Sequence, residues 1–137
     1  MGQQQLLLII LGVIVVGIAI AVGISMFASG SVQSNKDAIV NDLNNLAANA
    51  YQHKIRPSSM GGGAGSYDGT TVTPNATPWI VPTKLDTTEN GVYTRSGISA
   101  TTVTILATSS SYPGATVTAT VDLNGKLGTW VYTGDFQ

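Results

Sequence analysis

Residues 6–27, LLLIILGVIVVGIAIAVGISMF, constrain this chain more than any other stretch: twenty-two residues with no charge and a single hydroxyl, Ser25. At about 1.5 Å of rise per residue, a helix of that length covers about 33 Å, the hydrocarbon thickness of a bilayer. The run is apolar all round, so no face is reserved for water and all of it must meet lipid or other apolar helices. No basic residue precedes it, the first charge being Lys36, and it exceeds the roughly 7–15 residue core of a secretory signal. A small-residue cleavage site at Ala28-Ser29-Gly30 is the competing reading. Gly12, Gly17 and Gly23 each cost about 1 kcal/mol of helix propensity in water. Gly17 with Ala21, and Ala19 with Gly23, set small residues four apart, which lets helix backbones approach closely. Glycine is also simply common in transmembrane helices, and both readings stand.

After Phe27 the pattern becomes periodic. Val32, Ile39, Leu43, Leu46 and Ala50, with Ala47 and Tyr51 alongside, follow helical spacing, while Lys36, Asp37, Asn41, Asp42, Asn45 and Asn49 fall mostly off that stripe. The sequence predicts one helix from near Gln3 to about His53, bent, if anywhere, near Ser29-Gly30. His53, Lys54 and Arg56 place cations where they complement the carbonyl end of a helix, and Pro57 stops it. Residues 58–69, SSMGGGAGSYDG, read as a loop. A phosphate-cradling loop is a weak alternative, because no Lys-Ser/Thr pair follows the glycines and no strand precedes them.

From Thr70 onward, short runs rich in Val, Ile, Thr, Tyr and Trp predict strands at 79–81, 92–95, 100–108, 115–123 and 126–132. Asn124-Gly125 between the last two predicts a tight primed hairpin with positive φ at both residues. Val117, Ala119, Val121 and Leu123 alternate with Thr116, Thr118, Thr120 and Asp122, giving one apolar face to cover Ile39, Leu43, Leu46 and Ala50 and one threonine-rich face for water or a partner. Trp79, Trp130, Tyr132 and Phe136 read as core and sheet-packing aromatics rather than a ligand box. The expected fold is α+β: an apolar helix (1–27), its amphipathic continuation (28–56), a glycine-rich loop region (57–78) and a small antiparallel β domain (79–137).

Six basic and seven acidic residues among 137, for a net charge of −1, argue against a nucleic-acid binder. Cysteine is absent, which removes disulfides, thiolate metal sites and a cysteine nucleophile. The single histidine, His53, is no catalytic clue among so many hydroxyls. Asp68, Asp86 and Glu89 carry oxygen ligands but no patterned calcium loop. We expect no enzymatic activity, catalytic residue, metal or cofactor. Asn75-Ala76-Thr77 is the one glycosylation sequon in the chain.

A short polar amino end, MGQQQ, an immediate apolar helix, an amphipathic continuation, a glycine-rich loop and a small antiparallel sheet together resemble the type IV pilin family. The resemblance covers the whole architecture, and its motif lies in the first 25 or so residues. It implies a mature pilin with Met1 as the processed terminus. It further implies a filament core made by Met1, Gln5, Leu6, Gly12, Gly17, Ala21, Gly23 and Phe27, with a prepilin peptidase and an inner-membrane assembly machine as partners. Gln5 stands where most members carry a glutamate that pairs with a neighbour's amino terminus, and the family's helix-loosening proline near Val22 is missing. Its frequent carboxy-terminal disulfide cannot form here. The expected role is the major subunit of a homo-oligomeric extracellular filament, held in the cytoplasmic membrane before assembly. The alternatives are a minor pseudopilin of a secretion or uptake apparatus and a single-pass, membrane-anchored β-sheet binding module.

Overall fold

The computed structural model describes residues 2–69 and 75–137. One helix, α1 (Gly2–Ile55, 54 residues), precedes four strands: β1 (Gly91–Ile98), β2 (Val103–Ser109), β3 (Thr116–Val121) and β4 (Leu127–Thr133). Short 3-10 turns lie at Ser58–Met60 and Gly134–Phe136. Met1–Ser34 and Asn35–Gln137 are two compact units. The helix runs without interruption through Ser29-Gly30, where the Ser29 hydroxyl donates to the Met26 carbonyl at 3.0 Å. It ends as predicted just ahead of Pro57, which disfavours helical backbone at the residue before it.

The four strands form an antiparallel meander in the order β1-β2-β3-β4. Period-2 alternation dictates which side is dry. Val103, Ile105 and Ala107 of β2 and Val117, Ala119 and Val121 of β3 are fully buried, while the intervening threonines and Leu106 are half-buried. Within the second unit the helix buries Ile39, Leu43, Leu46, Ala47 and Ala50, the stripe legible in the sequence. Both edge strands carry a register shift, between Arg95 and Gly97 in the β1–β2 pair and between Thr118 and Thr120 in the β3–β4 pair. Thr129 of β4, opposite the second shift, has φ of 50°.

Three expectations are corrected. Residues 79–81 form no strand: Pro78 and Pro82 flank them without amide donors. The Trp79 N–H is spent on the Tyr67 carbonyl at 2.8 Å and its carbonyl accepts from Arg95. The 124–125 turn is not primed, since only Gly125 has positive φ, at 78°. Instead Gly125 N–H donates to the Asp122 carbonyl at 3.0 Å, and Asp122 Oδ1 accepts from the amides of Asn124 and Lys126, both at 2.8 Å. That is a three-residue loop with glycine in the left-handed position, and it turns Leu123 out of the apolar face to 48% exposure. The aromatics divide as core and sheet-packing residues: Trp79 and Phe136 are core, and Trp130 and Tyr132 are half-buried on edge strand β4, with near-parallel rings. Tyr67 and Tyr93, unassigned by the sequence, are fully buried instead.

The glycine-rich segment is not a slack connector. Gly62 and Gly63 are buried, and a Cβ at either would run into backbone, that of Arg56 or of Ser66. Close approach lets the segment fold back over the helix end, where Gly63 N–H donates to the His53 carbonyl at 2.9 Å and Gly65 N–H to the Lys54 carbonyl at 2.7 Å. Orphan carbonyls of the last turn are thereby satisfied by backbone.

Polar side chains pin the second unit together. Asp42 Oδ2 accepts from Tyr93 Oη at 2.6 Å, Asn90 Nδ2 at 3.0 Å and Thr88 Oγ1 at 3.1 Å. Burial disfavours the Asp42 charge, but these three bonds outweigh it and hold its carboxyl below the ordinary 3.8. Burial, with the bond to Asp42, raises the Tyr93 phenol; burial, with the charge of Asp122, pushes Tyr67 up to about 12. The signs set a stability window. Asp42, depressed when folded, contributes above its unfolded pKa and loses that contribution as pH falls through 3.8 and below. The two tyrosines, raised when folded, contribute below pH 10 and lose it above, Tyr67 across 10 to about 12. Thermal melts of the full chain in detergent will show a plateau between these limits. Tyr93→Phe will lower the plateau by about 1 kcal/mol and flatten the alkaline fall; an unchanged alkaline limb would remove Tyr93 from this account.

Candidate functional site

The first unit, taken by itself, is a helix with its apolar surface uncovered. Every described residue from Gly2 to Gly30 is exposed, with Leu6 at 61% and Phe27 at 80%. The helix is long and apolar enough to cross a membrane. A Cβ at Gly12, Gly17, Gly23 or Gly30 would meet nothing within 4 Å, so these glycines answer to no contact inside the chain. Gln5, with Gln3 and Gln4, presents its amide at the amino end of the same surface. Met1 lies outside the described residues.

Because the helix is unbroken, its small residues can be placed around the axis at about 100° per residue. Gly12, Ala19, Gly23 and Gly30 fall within about 40° of one another, in line with Gln5, and Gly17, Ala21 and Ala28 fall within about 40° on a second line about 160° away. The two small-residue pairs read from the sequence therefore belong to opposite faces. Gln5 and Gly12 come together with Gly23, whereas Gly17 and Ala21 stand apart. A helix that admits close neighbours on two sides suits a bundle of many copies better than a single pair.

The remaining candidates lie in the second unit, and all but Asn75 are occupied structurally. Gly62, Gly63 and Gly65 N–H groups point at carbonyls of residues 57, 53 and 54, which leaves no nest of donors for a phosphate. His53 Nε2 donates to the Thr77 carbonyl at 2.8 Å. Lys54, expected to complement the helix dipole, is buried; its ammonium donates to the Leu123 carbonyl and lies 5.3 Å from the Tyr67 ring centroid and 5.7 Å from that of Tyr51. Nothing in a sequence distinguishes such a lysine from an exposed last-turn cation. Lys36 donates to the Phe136 carbonyl at 2.9 Å with its ammonium 4.0 Å above the Tyr132 ring. Asp68 accepts from the Ser66 hydroxyl at 2.5 Å. Among the described residues no three His, Asp or Glu side chains gather as a metal would require. Ile39, Leu43, Leu46 and Ala50 are the dry side of α1. Asn75 is exposed in a turn.

No family model, curated protein or solved structure matches the chain.

The two-sided placement of small residues generates a measurable expectation. Gly17→Leu and Gly23→Leu, each filling one face, will each reduce higher-order crosslinking of the chain in membranes about tenfold, equivalent to ~1.4 kcal/mol. Membrane insertion will be unchanged in both. Sensitivity at only one of the two positions would show a single packing face.

Proposed function

We propose that this protein is the structural subunit of an extracellular filament of the type IV pilus kind. One observation carries the reading: a single helix whose first half is uncharged and exposed on every side, and whose second half is buried against a small sheet. The apolar half needs an environment the chain itself does not supply, and two environments fit it. Before assembly it is the bilayer, matched in length by residues 6–27. After assembly it is the same half of neighbouring copies, admitted by the glycine and alanine lines on both faces.

Energetics gives this two-home arrangement its direction. Covering the apolar half in water is worth tens of kcal/mol gross at about 25 cal/mol per Å², but lipid has already covered it, so moving from bilayer to filament gains little. Assembly therefore needs an energy-driven machine at the inner membrane, after a prepilin peptidase has freed the amino end. Dissociation into water loses the full amount, so the finished filament resists being taken apart. Gln5 gives each neighbour an amide without a buried charge, and an unpaired buried charge is costly. Register then rests on shape and amide hydrogen bonds.

The test is negative-stain electron microscopy and mass spectrometry on material sheared from cells that express the chain. Fibres made mainly of this protein are expected, and Gly17→Leu will abolish them. A trace of the chain within fibres of another subunit would make it a minor pseudopilin. Retention in membranes as dispersed single chains would replace the filament with an anchored binding module.

A further inference from the structure

We propose that Asn75 carries an N-linked oligosaccharide, added before the segment that follows it docks on the end of α1. The chain has eight asparagines, and only Asn75 begins an Asn-X-Ser/Thr triplet. The fold spends others on packing. Asn35 Oδ1 accepts from the Ser109 hydroxyl at 2.7 Å, Asn49 Oδ1 from the Trp79 indole at 3.0 Å, and Asn90 Nδ2 donates to Asp42. Asn75 is exposed in a turn outside helix and sheet, and its carboxamide takes no partner among the described residues. A sugar there displaces no side-chain hydrogen bond among the described residues.

Two residues on, the chain is clamped. Thr77 N–H donates to the Gly62 carbonyl at 3.3 Å, its hydroxyl to the Gly61 carbonyl at 3.0 Å, and its carbonyl accepts from His53. Trp79 then enters the core. A transferase that reads the Thr77 hydroxyl together with the Asn75 carboxamide must act while that hydroxyl is free, hence before docking. In the transfer, Asn75 Nδ2 attacks the anomeric carbon of a lipid-phosphate-linked oligosaccharide. The new C–N bond forms as the C–O bond breaks, the lipid phosphate leaves with the electron pair, and one carboxamide proton passes to a base of the transferase. Such a donor resides in a bilayer, and the membrane-length helix holds the chain at one. The gain is hydration. With thirteen charged residues of 137 and a net charge of −1, charge does little to keep crowded copies apart in water, and a glycan supplies what charge does not.

The experiment is glycopeptide mass spectrometry on full-length chain recovered from cells that possess a lipid-linked oligosaccharide transferase, with surface exposure of the same chain checked by protease. Wild type and Thr77→Ser will show a one-oligosaccharide mass increment on the peptide containing Asn75. Asn75→Gln and Thr77→Ala will lose it, and Asn75→Gln, which removes no contact, will melt with the unglycosylated wild type. Transferase added to folded, purified chain will modify it at least tenfold more slowly than chain emerging during synthesis. An exported chain with bare Asn75 overturns the proposal, and equal rates on folded and emerging chain overturn its timing. Neither outcome depends on filament formation, which electron microscopy of the same cells reports separately.

Discussion

Everything in the second unit depends on one dry contact layer, the α1 stripe Ile39, Leu43, Leu46, Ala47 and Ala50 facing the alternating apolar residues of β2 and β3. A meander with a single apolar face leaves that face to be covered, and most of the stability of an amphipathic helix comes from packing its apolar side. Each supplies the surface the other must bury. Directional bonds then fix how the layers meet: Asp42 gathers Tyr93, Asn90 and Thr88 at one place, Ser109 reaches Asn35 at another, and Lys54 reaches the β3–β4 hairpin at a third. Apolar area supplies the drive, and these bonds supply a single register.

The same helix obeys opposite rules along its length. In the second unit the apolar side chains of the stripe are buried, whereas from Gly2 to Gly30 every residue is exposed. Sequence chemistry changes at that point without any change in backbone geometry, because an α-helix satisfies its own backbone groups whether its surroundings are lipid, protein or water. This is why one uninterrupted element can serve two environments.

Hydrophobic pattern made the helix, its end at Pro57 and four of the five predicted strands legible, since spacing of 3.6 and 2 is written directly in residue order. What was not legible depends on non-local pairing. A run such as Pro78-Trp79-Ile80-Val81-Pro82 has strand composition, but strand formation is decided by whether a neighbour accepts its N–H groups, and here Tyr67 does. Asn124-Gly125 has the dipeptide of a primed turn, yet Asp122 two residues earlier binds the amides of Asn124 and Lys126 and selects the three-residue loop. The glycines of 61–65 read only as a loop, whereas Gly61 and Gly65 supply positive φ and Gly62 and Gly63 close approach to the backbone of Arg56 and Ser66. For the candidate site, apolar length and glycine spacing were visible at once, while their division between two faces needed an unbroken helix. The roles of Lys54 and Tyr93 lay in tertiary contacts 69 and 51 residues distant in sequence.

The irregular outer strands have a consequence for proteostasis. A straight outer strand with free N–H and C=O groups is a template on which another chain can add, and fibrils of the cross-β type grow that way. β1 breaks its ladder at Arg95/Gly97, and β4 breaks its own near Thr129, where a non-glycine residue is held at positive φ. A local twist at each border spoils the flat template. A sheet with such borders offers another chain no flat strand to extend.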